Sequence, residues 1–286
     1  MKPAMLKYLA SLIFFGANGI VASFIALSSY EIVLLRTLLG GTFLTALFFL
    51  RGGKLHVREH PSDTVYVILS GISMAACWLF LYEAYSRIGV SIASLCHYAA
   101  PVIVMVVSPL LFREKLTAPR CIGFLIAIGG VLLINGFAAS DGNRSGVLLA
   151  LLSAAAYAGM IIAGKKNRRI TGLENSMLQL LTAFATVGIF VLCRQGLSIS
   201  IPRESILPLL FLGVLNTGGG CYLYFSSIGS LRVQTVAVLS YLEPLSAVLL
   251  SALILHEPMT AAKFLGTALI LGGACIGEFV RPKQSV

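Results

Sequence analysis

Glu243 stands beside Pro244 inside an otherwise apolar run from Val233 to Leu255. At 1.5 Å per residue that run is about 34 Å long, and its eleventh residue, Glu243, falls at the middle. An ionised carboxylate facing lipid at that depth costs at least roughly 2.5–3.5 kcal/mol, so it is expected to face protein or a wet cavity. Two kinds of chemistry suit it: binding a cationic group and carrying a proton. Pro244 removes one backbone donor and frees the carbonyl of Ser240, so a kink is expected beside the carboxylate.

A second proline, Pro101, stands in a similar apolar run behind His97 and Tyr98. Ser94, His97, Tyr98 and Pro101 recur at i, i+3, i+4 and i+7, hence on one helix face. His97 titrates close enough to neutrality to relay protons, and a packed, hydrogen-bonded histidine fits the same position. Other spans bring polar or small groups to similar depth: Asn18 with Gly16 in "FGANG", Asn216, Gly218, Gly219 and Tyr222 in "LNTGGGCY", Trp78, and Tyr157 beside Gly159. The glycines fit close helix packing and cavity lining equally. Trp78 is near mid-span, away from the interfacial belt where Trp is enriched, which favours a cavity. Arg36 and Glu83 fall near the outer ends of their helices and are read as salt-bridged or snorkelling. Glu114 and Glu257 directly follow apolar runs and are read as helix-end or gate contacts.

The chemistry absent from the sequence narrows the class. There is no HExxH, GxSxG or Walker-type loop and no aspartate within an apolar run, so neither an enzyme nor direct ATP drive is expected. The six cysteines all fall in apolar runs without ligand spacing, so no metal and no cofactor is expected. "NRS" at Asn143 matches a glycosylation acceptor, a motif too short to weigh.

The elements that position these residues follow from composition. Hydrophobic residues make up 58% of the 286 and charged ones 11%, far from a soluble domain. Ten runs are long enough to cross a bilayer: 4–27, 31–50, 65–86, 90–112, 118–137, 146–164, 173–193, 206–228, 233–255 and 261–280. The longest connection, 51–63, is too short for a soluble domain, so one membrane unit accounts for the chain. The net charge of +10 does not indicate nucleic acid, because the basic residues alternate by loop. Fifteen of the 21 Lys and Arg lie in the tails and every second loop, five lie on the opposite side, and Arg36 is inside a span. The positive-inside rule then puts both termini and the "KKNRR" loop, Lys165 to Arg169, in the cytoplasm, the loop as a lipid-headgroup anchor.

The chain also repeats itself. Offset by 143 residues, Gly16 falls on Gly159, Tyr98 on Tyr241, Pro101 on Pro244, Glu114 on Glu257 and Gly129-Gly130 on Gly272-Gly273, while Arg36 meets Gln179. The expected fold is therefore an all-α membrane protein of ten transmembrane helices, built from two five-helix repeats, 1–143 and 144–286. Five is odd, so the second repeat enters the membrane inverted, as in many secondary transporters. Pro101 and Pro244 then bring two polar faces together near the midplane, with Tyr241 and Glu243 on the second.

The duplication, the Pro101 and Pro244 spans closing on "FREKLT" and "LHEPMT", and the Gly-Gly helices after them resemble the drug/metabolite transporter superfamily, in particular its EamA-type members. The resemblance implies a central cavity lined by the first, third, fourth, sixth, eighth and ninth helices that opens alternately to each side. It also implies export of amino acids or small metabolites, or, as in a minority of relatives, uptake of a compound such as choline. Phe15 stands where the family often has Trp before the glycine of the first helix.

The expected partners are a small-molecule substrate, the lipid bilayer and protons, with the oligomeric state open. Glu243 with His97 and hydroxyls suits a zwitterion, and the same carboxylate with Tyr98, Tyr157, Tyr241 and Trp78 suits an organic cation.

Overall fold

The computed structural model describes residues 2–113, 116–135, 144–196, 199–254, 256 and 260–279, and every regular element among them is helical. Glu114, Glu257, Asn143 and the tail carrying Arg281 and Lys283 lie outside the described residues, as does the side chain of Ser94.

In the first half, α1 (Lys2–Gly16) and α2 (Asn18–Ala22) form one span broken at Ala17, followed by α3 (Ser29–Leu50), α4 (Pro61–His97), α5 (Ala100–Phe112) and α6 (Ala118–Asn135). The second half contains α7 (Arg144–Lys166) and α8 (Gly172–Gln195), then a span made of α9 (Arg203–Leu210), a π-helical segment (Phe211–Gly219) and α10 (Gly220–Ile228). It closes with α11 (Val233–Leu239), α12 (Leu242–Ile254) and α13 (Ala261–Phe279). A capping box starts α3: Ser28 Oγ accepts from the Glu31 amide, and Glu31 Oε2 accepts from the Ser28 amide at 2.8 Å.

Helical backbone runs through α4 without interruption, where the sequence suggests a connection at 87–89. The chain nevertheless turns back inside it. A straight helix would separate Cys77 from His97 by about 30 Å, yet both side chains meet Ser153 Oγ, at 3.7 and 2.8 Å. Ala84 and Ala93 likewise share one packed cluster with Ala150. The third span thus ends near Tyr85 and the fourth begins beyond it, which restores ten crossings.

Glycine contacts establish how the repeats are related. A Cβ on Gly123 would strike Gly273 and Gly277, and one on Gly130 would strike Gly266. As one number rises the other falls, so α6 and α13 run antiparallel although they are equivalent helices of the two repeats. Gly123 and Gly266 are equivalents, as are Gly130 and Gly273, so the two contacts are images of each other. The repeats are inverted about a pseudo-two-fold axis.

Polar contacts at the two ends keep the alternation of loops. At one end His56 binds Glu174, with Nδ1 3.0 Å from Oε2 and the backbone amide 2.6 Å from Oε1. The hydrogen bond to Glu174 raises the His56 imidazole above its usual value. Asp63 accepts from the Arg168 and Arg169 amides, and Lys165 caps the carbonyls of Ile228, Gly229 and Leu231. At the other end Glu83 pairs with Arg87 at 2.8 Å and Arg194 at 3.8 Å, Arg87 reaches Ser145, and Arg194 lies over Tyr30. Glu83 is thus the helix-end ion pair its position suggests.

Candidate functional site

Both proline-containing spans are broken rather than merely bent. The fourth breaks at Tyr98 and Ala99, two residues before Pro101, and the ninth at Ser240 and Tyr241, three residues before Pro244. Proline cannot donate to the turn before it, and the carbonyl of Ser240 is taken by the Glu243 amide at 3.0 Å instead. The breaks face each other, because the Tyr241 hydroxyl donates to the backbone carbonyl of its equivalent, Tyr98, at 3.2 Å. The first span breaks at the same depth. A Cβ on Gly16 would collide with Ser246 Oγ and come within 2.9 Å of the Glu243 carbonyl, so glycine lets α1 reach the start of α12.

These breaks border a cavity of about 690 Å³. It runs from Glu243 and Ala247 past Trp78, Cys77, Met74, Met160 and Cys221 to Tyr82, Tyr85 and the segment between Ser23 and Ser29. It therefore opens toward the end that carries Glu83, Arg87 and Arg194. The opposite end is shut. There Tyr8, fully buried, donates to the Val236 carbonyl at 2.9 Å and packs on Tyr224 with ring centroids 5.5 Å apart. Ser246 Oγ donates to the carbonyls of Leu12 and Glu243.

Of the sequence-derived candidates, Asn18, Trp78, His97, Tyr98, Tyr157 and Glu243 line this cavity, together with Gly16. His97 packs edge-on against Tyr157 at 5.4 Å while Nδ1 meets Ser153. A smaller void, bordered by His97, Tyr98, Tyr157, Ser240 and Glu243, joins the two helix breaks.

Three expected lining residues are elsewhere. Tyr241 is 1% exposed, packed on Phe124 and committed to the Tyr98 carbonyl. Asn216 is fully buried and supports the site from behind, donating to the Phe14 carbonyl and to Asn18 Oδ1. Tyr222 faces Lys7, 5.8 Å from its ring. On α10 it is Tyr224 that reaches the cavity, since two residues along a helix turn a side chain about 200° away. The Tyr224 hydroxyl is buried beside the Tyr157 side chain. Among the expected hinges, a Cβ on Gly218 would strike Phe43 and reach Gly40, one on Gly159 would be in ordinary contact with Ser73, and one on Gly219 would come no closer than 3.9 Å to the Val214 carbonyl.

Arg36 requires the largest correction. Among the described residues it has no salt bridge, and it does not snorkel: it is 2% exposed and lines the cavity, which makes the second helix a wall that the expected list of helices omits. Its Nε donates to Thr217 Oγ1 at 2.9 Å, one Nη2 donates to Asn18 Oδ1 at 3.3 Å, and the guanidinium lies 4.6 Å over the Trp78 ring. None of the ion pairs among the described residues involves Arg36 or Glu243. Its signal in the sequence is being the one Lys or Arg that belongs to neither a tail nor a loop end.

Among the described residues no group of three or more His, Cys, Asp or Glu is placed to hold a metal ion. The arrangement offers a positive and a negative side chain, both held away from lipid, within one cavity walled by aromatic rings.

The family model of EamA-like transporters matches residues 2–136 and again 144–276, once per half of the structure. The chain belongs to the EamA-like transporter family. Through that family it is part of the drug/metabolite transporter superfamily. This EamA-like chain is 24% identical to the uncharacterized transporter YxxF of Bacillus subtilis over 277 residues, covering 96% of the chain and 88% of the relative. It is 28% identical to YvbV, another uncharacterized transporter of that organism, over 85% of the chain and 80% of YvbV. The uncharacterized inner membrane transporter YicL of Salmonella typhimurium is 22% identical, over 96% of the chain and 95% of YicL. A crystal structure covering 96% of the chain and 97% of its own superposes with a TM-score of 0.84 at 23% identity, a likeness of fold. The protein is thus an integral membrane transporter with a two-repeat helical fold.

Proposed function

We propose that this EamA-like transporter is a secondary transporter that moves amino acids or related zwitterions outward across the cytoplasmic membrane by alternating access. The observation that carries this reading is a cavity at the junction of two inverted repeats, ending on Glu243 at mid-span, open at one end and shut at the other. Glu243 takes the ammonium of the substrate or the coupling proton. Because 15 of the 21 basic residues belong to the closed end and the tails, both termini are cytoplasmic and this conformation faces outward.

Uptake of an organic cation such as choline is the second reading. Tyr98, Tyr157, Trp78 and Glu243 favour it, but Arg36 already covers the Trp78 face and repels a second cation. The deciding experiment is counterflow in proteoliposomes, comparing amino acids with quaternary amines, with and without a pH gradient. Amino-acid counterflow is expected, and flux of quaternary amines alone would overturn the assignment. Orientation has its own check. Single cysteines at Leu55 and Ser145, in a background without the native six, are expected to label from inside and outside respectively; the reverse pattern sinks the proposed orientation.

A further inference from the structure

Arg36 has more hydrogen-bonding capacity than the protein uses. A guanidinium carries five N–H donors in a fixed fork. Among the described residues the two bonds, to Thr217 and Asn18, leave three donors unmatched, while Trp78 covers one face of the plane. A cation buried within a bilayer is expected to face a partner or a wet cavity, and such charges mark substrate paths. No described carboxylate is within ion-pairing distance of Arg36, which lines the same cavity as Glu243.

The scaffold around Arg36 fixes the fork instead of neutralising it. Asn216 donates to Asn18 Oδ1 at 3.2 Å, so the acceptor that holds Nη2 is itself held. Thr217 Oγ1 donates to the Leu212 carbonyl at 2.8 Å, five residues back, so the π-helical turn orients the acceptor that holds Nε. Two supports and a ring face leave the Nη1 side of a planar cation without a partner among the described residues, at the wall of the cavity. That edge matches a planar anion with two oxygens.

We propose that the free edge of Arg36 is the carboxylate subsite of the cavity, taking the substrate's carboxylate through two parallel N–H···O bonds. The inference rests on the zwitterion reading and adds to it which residue holds the anionic end, with Glu243 left for the ammonium. A carboxylate fits better than a phosphate, because Glu243 in the same cavity repels a dianion. Recognition then favours a free acid: carboxamides and esters of the substrate keep one carbonyl acceptor but lose the second, charge-assisted bond and leave the cation without a counter-charge.

Trp78, the sole tryptophan of the chain and in contact with Arg36, reports on this subsite directly. Reconstituted protein is titrated with the non-absorbing amino acids, L-leucinamide, 4-methylpentanoate and inorganic phosphate, following Trp78 emission. At least one amino acid and 4-methylpentanoate are expected to shift the emission, with leucinamide roughly 10- to 100-fold weaker than leucine or silent. Arg36→Gln is expected to lose that preference for acid over amide. Arg36→Lys keeps the charge without the fork and is expected to fall between; it also serves if the Gln variant does not fold. An unchanged acid preference in the folded Arg36 variants, a response to phosphate instead of carboxylates, or no response to any carboxylate overturns the subsite. A response to 4-methylpentanoate in a protein that carries no amino acid in counterflow keeps the subsite and overturns the zwitterion reading.

Discussion

The two repeats share a scaffold and differ in charge. Arg36 and Gln179 occupy equivalent positions 143 residues apart, as do Ala100 and Glu243. Gln179 is fully buried and satisfied, its amide donating to Asn175 Oδ1 at 2.8 Å while its carbonyl accepts from Ser70. Arg36 lines the cavity and has two side-chain hydrogen bonds among the described residues. Ala100 is a buried packing residue at 1% exposure, whereas Glu243 borders the open volume. The contacts between α6 and α13 follow the pseudo-symmetry, and the charges break it. Duplication therefore accounts for a framework with two equivalent conformations, and later divergence for what that framework holds.

The sharpest way to break this comparison is at the charge. Glu243→Gln keeps the shape and much of the hydrogen bonding, so the protein is expected to insert while counterflow falls roughly 10- to 100-fold. A variant that still concentrates substrate would make Glu243 a structural residue like its counterpart Ala100. The two roles open to Glu243 separate by gradient: loss of pH-driven flux with exchange intact indicates a proton carrier, and loss of binding indicates the ammonium site.

The equivalent glycines come next. Gly16→Ala forces a Cβ against Ser246 and backbone within 2.9 Å, at roughly 1–3 kcal/mol. Gly159→Ala meets only Ser73 at 3.5 Å and is expected within about 0.5 kcal/mol of wild type. Thermal unfolding in detergent compares them, and equal losses would mean that the first span does not depend on its close approach to α12. At the prolines, where the repeats agree, Pro101→Ala and Pro244→Ala are expected to insert normally and slow transport severalfold. Unchanged rates in both would make the breaks independent of proline.

The smallest effect is expected at the closed end, where Glu174 raises His56. A raised imidazole contributes stability that is complete below its unfolded value of about 6.5 and is lost as pH rises through the folded one. Unfolding temperature should therefore decline across that window in wild type and flatten in Glu174→Gln. An identical profile in both would show that the pair contributes nothing measurable.

Much of this was readable from the chain, for identifiable reasons. Hydropathy marks spans because lipid satisfies no backbone group, and the offset of 143 marks the duplication because equivalent breaks need equivalent prolines. The depth of Glu243 follows from counting residues. What depth does not give is azimuth. α3 is apolar on all sides, so no amphipathic stripe indicated where Arg36 points, and its distance from the helix end was mistaken for access to water. The same gap led to Tyr222 in place of Tyr224. The reversal inside α4 was located by the apolar runs on either side, yet its continuous helical backbone was not legible, because residues 86–92 carry no proline to interrupt it.

One contact is unaffected by this asymmetry. The approach of Gly123 to Gly273 and that of Gly130 to Gly266 exchange places when the two repeats exchange roles. Any motion that gives each half the other's conformation therefore returns the α6–α13 seam to itself, with the same backbone atoms touching. Such a seam needs no slack, so it can be packed as tightly as glycine allows and still act as a fixed axle about which the remaining helices rock.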